Sequence, residues 1–377
     1  MNTKHMHKSS VPDYFLLGVS IFLLMFGIII LASVSAAFSF KKFDDTAYLL
    51  RHQILMGLIP GLILGFILYK IDLSLIKKWA PRLFLFNLFL LIAVFLPILG
   101  SNFGTASSWI YLGIVSFQPA EFLKLTFILY LAAWLTTRTD KTVSVKNPRE
   151  FNRTLVAFLL ALAIVCLLLI LQPDVGTLAI IAVTAVAMYF STNLPLVHTF
   201  LIFLIGSAVF YSMVKISPYR LNRLLVFLNS DIDPMGIGYQ MKQALIAIGS
   251  GGVAGVGLGL SIQKHGFLPQ SISDSIFAVF SEETGFIGAF FLIFLFLVFA
   301  WRGFKIAKES KDKFCQLVAL GITVWIISQT FVNIGAMIGM LPLTGVPLPF
   351  ISYGGSALVA ELAGLGILLN ISKKNNQ

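Results

Sequence analysis

The sequence has few charged residues and few cysteines for its length. Only 11% of its 377 residues are charged, whereas 58% are hydrophobic. Soluble globular domains carry about 25% charged residues, so this composition excludes that class. Uninterrupted apolar stretches of about 18 to 25 residues instead predict a chain built mostly of membrane-spanning helices.

Cysteine and histidine are too sparse and too scattered to build a disulfide framework or a metal centre. Cys166 lies within a predicted span and Cys315 begins another, so the two predict neither a disulfide network nor a metal quartet. No ligand spacing for a metal connects the histidines, which are residues 5, 7, 52, 198 and 265. The basic residues that give the net charge of +11 lie mostly at the ends of the apolar stretches. Membrane topology and anionic lipids explain this placement, so we expect no nucleic-acid partner.

Ten hydrophobic stretches predict an all-α polytopic membrane protein with about ten transmembrane helices. They centre on residues 14–36, 52–70, 82–99, 118–136, 154–171, 174–191, 197–215, 275–301, 314–340 and 350–371. The first is too long for a signal-peptide core, so we interpret it as a retained span. The predicted organisation is a tail at 1–13, one ten-helix domain at 14–372 and a tail at 373–377. A large extracytoplasmic loop at about 217–274 joins helices seven and eight.

Lysine and arginine accumulate in alternate connections between the stretches. They include residues 4, 8, 77, 78, 82, 138, 141, 146, 149, 153, 302, 305, 308, 311, 313, 373 and 374. Because cytoplasmic loops are enriched in these residues, the pattern predicts that both termini are cytoplasmic. The same charges favour contact with anionic membrane lipids.

The predicted outer loop carries cations on the side where the charge rule disfavours them. This excess indicates an anionic ligand, with ordinary surface charge as the alternative. The glycine-rich run at 249–259 would let backbone N–H groups approach a phosphate, and 239–248 is amphipathic enough for an interfacial helix. The cations are Arg220, Arg223, Lys242 and Lys264.

Carboxylates lie beside several predicted spans, where an unpartnered charge is costly. Asp274, just before the eighth span, is the first candidate for chemistry. Glu121 and Lys124 are three apart on one helix face and form either a neutralising pair or a cavity lining. Asp174 follows Pro173 and suits a helix N-cap, with direct catalysis as the alternative. We expect Glu361, inside the last span, to be partnered.

A set of short motifs resembles one family over nearly the whole chain. Taken in order, they resemble the shape, elongation, division and sporulation (SEDS) glycosyltransferases, and 257–264 resembles the FtsW division branch more than the RodA elongation branch. The motifs are Trp109, Gln118-Pro119-Ala120-Glu121 with Lys124, 172–177, Gly238-Tyr239-Gln240, 246–252, Phe267-Leu268-Pro269, Asp274, 276–279, Glu282-Glu283, Gln329, Asn333, Pro342, Thr344-Gly345 and 349–356.

The resemblance implies polymerisation of lipid II on the outer face of the membrane. A GlcNAc 4-hydroxyl would attack the anomeric carbon of a glycan strand carried on undecaprenyl pyrophosphate, with inversion and release of the lipid pyrophosphate. Asp274 matches the essential aspartate of the family and would act as general base or in metal-assisted activation. The predicted substrate-binding residues are Arg220, Arg223, Lys242, Lys264, Gln263, Glu121, Lys124, Ser352 and Tyr353. The predicted supporting residues are Asp174, Glu282, Glu283 and Pro349.

The resemblance also implies a cofactor, partners and a location. A divalent cation, Mg²⁺ or Mn²⁺, could share the pyrophosphate charge; Asp231 and Asp233 form an Asp-x-Asp pattern, although Asp233-Pro234 equally fits a turn. Expected partners are lipid II, the lipid-linked glycan, a class B penicillin-binding transpeptidase and other divisome proteins. The expected location is the bacterial cytoplasmic membrane, at the division septum.

Some residues depart from the family pattern, and two other functions stay open. Gln270 stands where many relatives carry Glu, so the pKa of Asp274 should be lower than it would be beside a like charge. Ser108 and Glu361 replace Arg and Asn of many relatives. The alternative functions are a lipid II flippase or transporter, whose polar groups would line a path across the bundle, and a non-catalytic divisome scaffold, which would need no acid at 274.

Overall fold

The computed structural model describes residues 11–96, 108–112, 115–144, 148–192, 196–216, 218–229 and 235–375. Within these ranges the α-helices are α1 (Tyr14–Phe43), α2 (Tyr48–Gln53), α3 (Ile59–Lys70), α4 (Leu73–Ala93), α5 (Pro119–Ser144), α6 (Pro148–Leu171), α7 (Val175–Phe190), α8 (Leu196–Ile216), α9 (Pro218–Leu228), α10 (Ile237–Ser250), α11 (Ile276–Glu309), α12 (Lys313–Met337) and α13 (Gly355–Asn375). Two short strands, β1 (Ile110–Leu112) and β2 (Val115–Phe117), form an antiparallel hairpin.

All ten predicted spans coincide with helices in the described part of the chain. Eight helical segments are long and apolar enough to cross a membrane, including Tyr48–Lys70, in which a π-helical turn at Ile54–Leu58 joins α2 to α3. The two remaining spans are α7, which is apolar but only 16 residues long, and α4, which carries three basic residues in its first half. The prediction of an all-α polytopic membrane protein is therefore confirmed.

Two helix starts differ from the prediction for local reasons. α4 begins at Leu73 rather than at 82, because the Asp72 carboxylate accepts a hydrogen bond from Ser74 N (2.9 Å) and caps the helix. α13 begins at Gly355 rather than at 350. Phe350 has a φ of 63°, a left-handed conformation that cannot belong to a right-handed helix.

Helices α5, α12 and α13 form the centre of the bundle. In the most apolar 18-residue stretch of each helix, the buried share is 72% for α5, 67% for α12 and 78% for α13, compared with 17% for α8. Small residues permit this packing: a Cβ placed on Gly366 of α13 would lie within 2.1 Å of the Gly65 carbonyl oxygen of α3. Lys124, Gln329 and Glu361, one polar side chain from each of these helices, are therefore buried in protein.

The described residues of the long connection between α8 and α11 include two helices and a loop. The connection contains the predicted interfacial helix, observed as α10, and a second short helix, α9, which the sequence analysis did not predict. It continues as the glycine loop, residues 251–263, and ends at the segment that carries Asp274.

The glycine loop fills a break in α11. The helix is interrupted at Gly285, where φ is 65° and ψ is −165°. Backbone N–H groups of the loop donate to helix carbonyls freed by the break, and helix N–H groups donate back to the loop. The four bonds are Val256 N to Glu282 O (3.0 Å), Gly257 N to Glu283 O (3.0 Å), Phe286 N to Gly252 O (2.9 Å) and Ile287 N to Val253 O (3.2 Å).

Candidate active site

Asp274 lines a cavity of about 270 Å³ at one end of the bundle. Elements far apart in the sequence meet there: α9 contributes Arg223, α10 contributes Gln240 and α12 contributes Asn333. The remaining wall comes from Gln270, Ala336, Met337 and residues 343–346. A carboxylate and a guanidinium therefore line one cavity.

Asn333 holds the backbone around Asp274. Its amide donates hydrogen bonds to the carbonyl oxygens of Asp274 and Val346, both at 2.8 Å. Gly345 has a φ of 76°, and a Cβ there would lie 3.4 Å from the Asp274 Oδ2 atom. A side chain at this position would strain the backbone and crowd the carboxylate.

Ser352 and Tyr353, predicted as substrate contacts, lie behind the Asp274 segment and do not line the cavity. The Ser352 hydroxyl donates to Ser273 O (2.6 Å), and Tyr353 N donates to Ile272 O (2.9 Å). The Tyr353 hydroxyl is paired with His52 Nδ1 at 2.9 Å. These contacts support a role in holding the segment in place.

Burial raises the pKa of Asp274 to about 6. The charge of Arg223 and a hydrogen bond from Ser273 oppose this rise, whereas the charge of Asp174 adds to it. The neutral side chain of Gln270 adds no negative charge that would raise this pKa further, as the sequence indicated. The net change in the pKa of Asp274 is nevertheless upward, because burial is the largest cause. At neutral pH the carboxylate is mostly ionised, with a pKa near that of an efficient general base.

The four predicted pyrophosphate-binding cations are dispersed in the structure. Arg223 lines the cavity, and its Nη1 donates to Leu343 O (3.0 Å). Arg220, one turn earlier on α9, donates from Nη2 to Ile170 O (3.3 Å). Lys242 lies on α10 and, like Lys264, is not among the lining residues.

Lys264 is buried in an ion pair. Its Nζ lies 2.9 Å from Glu283 Oε1 and donates to Gly259 O (2.6 Å). Glu283 also accepts from the Ser33 hydroxyl of α1 at 2.8–2.9 Å. The ammonium group is thus engaged with the glycine loop and α1, away from the cavity.

Glu282 and Gln263 belong to the same loop support. Glu282 accepts hydrogen bonds from the Ser261 hydroxyl, from Ile262 N (3.2 Å) and from Gln263 N (3.4 Å). The Gln263 side chain is buried and does not line the cavity. These contacts hold the glycine loop against α11, and the supporting roles of Glu282 and Glu283 stay a prediction.

Glu121 and Lys124 form a buried ion pair of 2.7 Å within the central helices. Lys124 Nζ also donates to Gln329 Oε1 (2.8 Å), which accepts a second hydrogen bond from Trp325 Nε1 (2.8 Å). Of the two interpretations left open by the sequence, these contacts favour the neutralising pair, extended into a network with α12.

Glu361 connects that network to the chain beside Asp274. It accepts from Gln329 Nε2 (3.3 Å) and from Phe350 N (2.8 Å), so it is partnered as expected. Phe350 is the left-handed residue that follows Pro349, with a φ of 63°. The buried carboxylate therefore holds a strained turn on which the Asp274 segment rests.

Asp174 caps α7. Its Oδ1 accepts a hydrogen bond from Thr177 N at 3.0 Å, which is the N-cap geometry expected from the sequence. Its charge still contributes to the electrostatics of Asp274.

Comparison with known proteins identifies the family. The family model for FtsW, RodA and SpoVE, described as "Cell cycle protein", matches residues 14–377. The chain belongs to this family. The SEDS membership predicted from the sequence is therefore confirmed.

Named relatives of this SEDS protein cover nearly the whole chain. It is 38% identical to "Stage V sporulation protein E" of Bacillus subtilis, over 97% of this chain and 98% of that protein. It is 36% identical to "Probable peptidoglycan glycosyltransferase FtsW" of Haemophilus influenzae, over 96% of this chain and 91% of that protein.

Solved SEDS structures share the fold. A chain in the structure called "Structural coordination of polymerization and crosslinking by a peptidoglycan synthase complex" superposes with a TM-score of 0.80 at 27% identity, covering 97% of this chain and 99% of that one. Thermus thermophilus RodA superposes with a TM-score of 0.71 at 27% identity, covering 97% and 98%. Several relatives named FtsW match nearly the whole chain, which agrees with the predicted resemblance to the FtsW branch.

The cavity of this SEDS protein includes residues that the sequence analysis did not select as site candidates. Gln240 and Asn333 belong to the motifs that carry the resemblance, but nothing local shows that they face Asp274. Their place in these motifs was the one signal in the sequence that could have selected them as site residues.

The donor set near Asp274 is compatible with a magnesium ion shared with substrate. Among the described residues, no three His, Cys, Asp or Glu side chains come together as a metal site. Mg²⁺ is commonly held by one or two carboxylates plus substrate phosphates and water, so Asp274 and a pyrophosphate would suffice. Asp231 and Asp233 lie outside the described residues.

Proposed function

We propose that this SEDS protein is a peptidoglycan glycosyltransferase that polymerises lipid II into glycan strands. Family membership and the FtsW relatives support this function. The observation that carries it is the cavity that Asp274 and Arg223 both line. Transfer of a glycosyl group from a pyrophosphate needs a base at the attacking hydroxyl and a cation at the leaving group.

In the proposed reaction, Asp274 takes the proton of the acceptor GlcNAc 4-hydroxyl. The oxygen forms a bond to the anomeric carbon of the strand, and the bond from that carbon to the pyrophosphate oxygen breaks with inversion. The departing pyrophosphate keeps the electron pair, and Arg223 stabilises its charge. The cavity of about 270 Å³ is near the lower limit for ligand sites and suits the reacting groups rather than the lipid tail.

The proposed setting is the outer face of the bacterial cytoplasmic membrane, with both termini cytoplasmic. Basic residues in the last turns of α11 and α13 support this orientation, because Asp274 lies at the opposite end of α11. A class B penicillin-binding transpeptidase is the proposed partner, supported by the structural neighbour in a peptidoglycan synthase complex. Action at the septum rests on the FtsW relatives.

Glycan formation from purified lipid II tests the function. The full-length protein should yield polymer, assayed alone and with the transpeptidase, each with added Mg²⁺, with added Mn²⁺ and with a chelator. If polymer is lost only in the samples that contain the chelator, the result would support a divalent cation that shares the pyrophosphate charge. No polymer under any condition, together with transfer of labelled lipid II across liposome membranes by the same preparation, would support the transporter instead.

Replacing Arg223 by glutamine should lower the polymerisation rate more than the same change at Arg220. Both arginines lie on α9, but Arg223 faces the cavity. Loss of one group that stabilises transition-state charge typically costs about 10²- to 10³-fold in kcat. A change at a peripheral position should cost less than about threefold. Steady-state kcat and KM for lipid II distinguish the variants, and equal loss in both would contradict the assignment of Arg223.

The polymerisation rate should depend on pH through Asp274. The group acts as a base only when ionised, so the rate should fall about tenfold per pH unit below a pKa of about 6 and level off above it. Because Arg223 lowers this pKa, its replacement by glutamine should move the acidic limb of the profile to higher pH. A profile that is flat between pH 4.5 and 7 would exclude Asp274 as the base.

A further inference from the structure

The glycine loop, residues 251–263, exposes a row of aliphatic side chains. It contains no charged residue. Leu258, Leu260 and Ile262 are 64%, 66% and 65% exposed, and Val253 is 69% exposed. In an aqueous loop such a run of apolar side chains would be unfavourable, so its surroundings require an explanation.

Most backbone N–H groups of the loop already donate to protein groups, so the loop is poorly suited to cradle a phosphate, which the sequence had suggested. Val256 N and Gly257 N donate to α11 carbonyls, and Ile262 N and Gln263 N donate to Glu282. Further N–H groups donate within the loop or to the end of α10, namely Gly251 to Ala247 O, Gly252 to Gly249 O, Gly255 to Gly251 O and Leu260 to Gly257 O. Irregular backbone can lie at membrane depth where its polar groups are satisfied by protein.

Two neighbouring helices, α1 and α11, give the depth of the loop. At the opposite end of the bundle, Asp13 and Arg302 form an ion pair of 2.6 Å beside the exposed Trp301, an arrangement typical of a membrane interface. A hydrocarbon core of about 30 Å corresponds to about 20 residues at about 1.5 Å each. Counted from Trp301 along α11, this distance ends at Glu282.

Counted along α1 from Tyr14, the same length ends at Ser33. Ser33 donates a hydrogen bond to Glu283, so both counts end at one level. The glycine loop is bonded to α11 at 282–287, the level at which both counts end. Beside it, Phe286 and Phe290 of α11 are 66% and 60% exposed and continue the same apolar surface.

We infer that the glycine loop is inserted into the membrane leaflet at the Asp274 end of the bundle, with its aliphatic side chains against lipid acyl chains. The partner of this surface is the bilayer itself. The loop anchors the chain between α10 and Asp274 at the hydrocarbon boundary and thereby sets the depth of the cavity. The buried Lys264–Glu283 ion pair lies on the protein side of the loop, where both charges are shielded from lipid.

Site-directed spin labelling of the full-length protein in phospholipid vesicles tests this inference. In a background with Cys166→Ser and Cys315→Ala, single labels are placed by Leu258→Cys and Leu260→Cys. Phe290→Cys on α11 is the lipid-facing reference, and Gln270→Cys at the cavity is the water-facing reference. Collision with oxygen, which partitions into lipid, is compared with collision with a water-soluble nickel chelate.

Labels at 258 and 260 should collide more with oxygen than with the nickel chelate, as the label at 290 should. The label at 270 should show the opposite preference. Preferential collision with nickel would overturn the inference, and low collision with both reagents would assign the surface to a protein partner or a second copy. A wild-type measurement is independent of the substitutions: phospholipids with a photoactivatable diazirine in the acyl chain should label the peptide containing 251–263. Labelling of α11 without labelling of this peptide would also overturn the inference.

Discussion

Asparagine in place of Asp274 is expected to reduce glycan polymerisation by about 10²- to 10⁴-fold, the usual contribution of a positioned general base. The amide is close in size to the carboxylate but cannot accept the hydroxyl proton. The backbone carbonyl that Asn333 holds is unchanged, so the segment should keep its position. Binding of lipid II should change by less than about threefold, because removal of a base affects the transition state more than the ground state.

The matched control is the same substitution at Asp174. Asparagine is as good an N-cap as aspartate, so α7 should remain intact and most polymerisation activity should be retained. Rates and lipid II affinities are measured in parallel on both purified variants. Equal polymer from Asp274→Asn and wild type would remove Asp274 as the base and favour a non-catalytic scaffold. An equally large loss from Asp174→Asn would indicate that Asp174 takes part directly.

Alanine in place of Gly255 is expected to destabilise the protein far more than alanine in place of Gly259. The two glycines have nearly the same positive φ, 82° and 84°. A Cβ at 255 would lie 2.2 Å from the Glu283 carbonyl oxygen, whereas at 259 it would meet no atom within 4 Å. Both variants incur the cost of a left-handed alanine, about 1–2 kcal/mol.

Only Gly255→Ala should also separate the glycine loop from the break in α11. Loss of four backbone hydrogen bonds at about 0.5–1.5 kcal/mol each would add about 2–6 kcal/mol to the destabilisation. Thermal unfolding of the purified variants in detergent, followed by tryptophan fluorescence, measures the difference. Similar melting temperatures for the two alanine variants would show that the exchange of hydrogen bonds contributes little.

Local sequence determined the spans and the helix caps. Membrane-spanning helices are specified by the apolar length of one segment, so their number and approximate positions could be predicted without tertiary contacts. The N-cap role of Asp174 and the amphipathic helix α10 depend on a few neighbouring residues and were predicted correctly. The order of the short motifs was sufficient to indicate the family.

Tertiary structure decided which polar residues meet. Arg223 and Lys264 look equivalent in the sequence, yet the fold places one in the cavity and pairs the other with Glu283. Likewise, a glycine-rich run is compatible with a phosphate cradle until its N–H groups are seen bonded to a broken helix. These outcomes depend on contacts between distant segments, and composition and local spacing carry no information about such contacts.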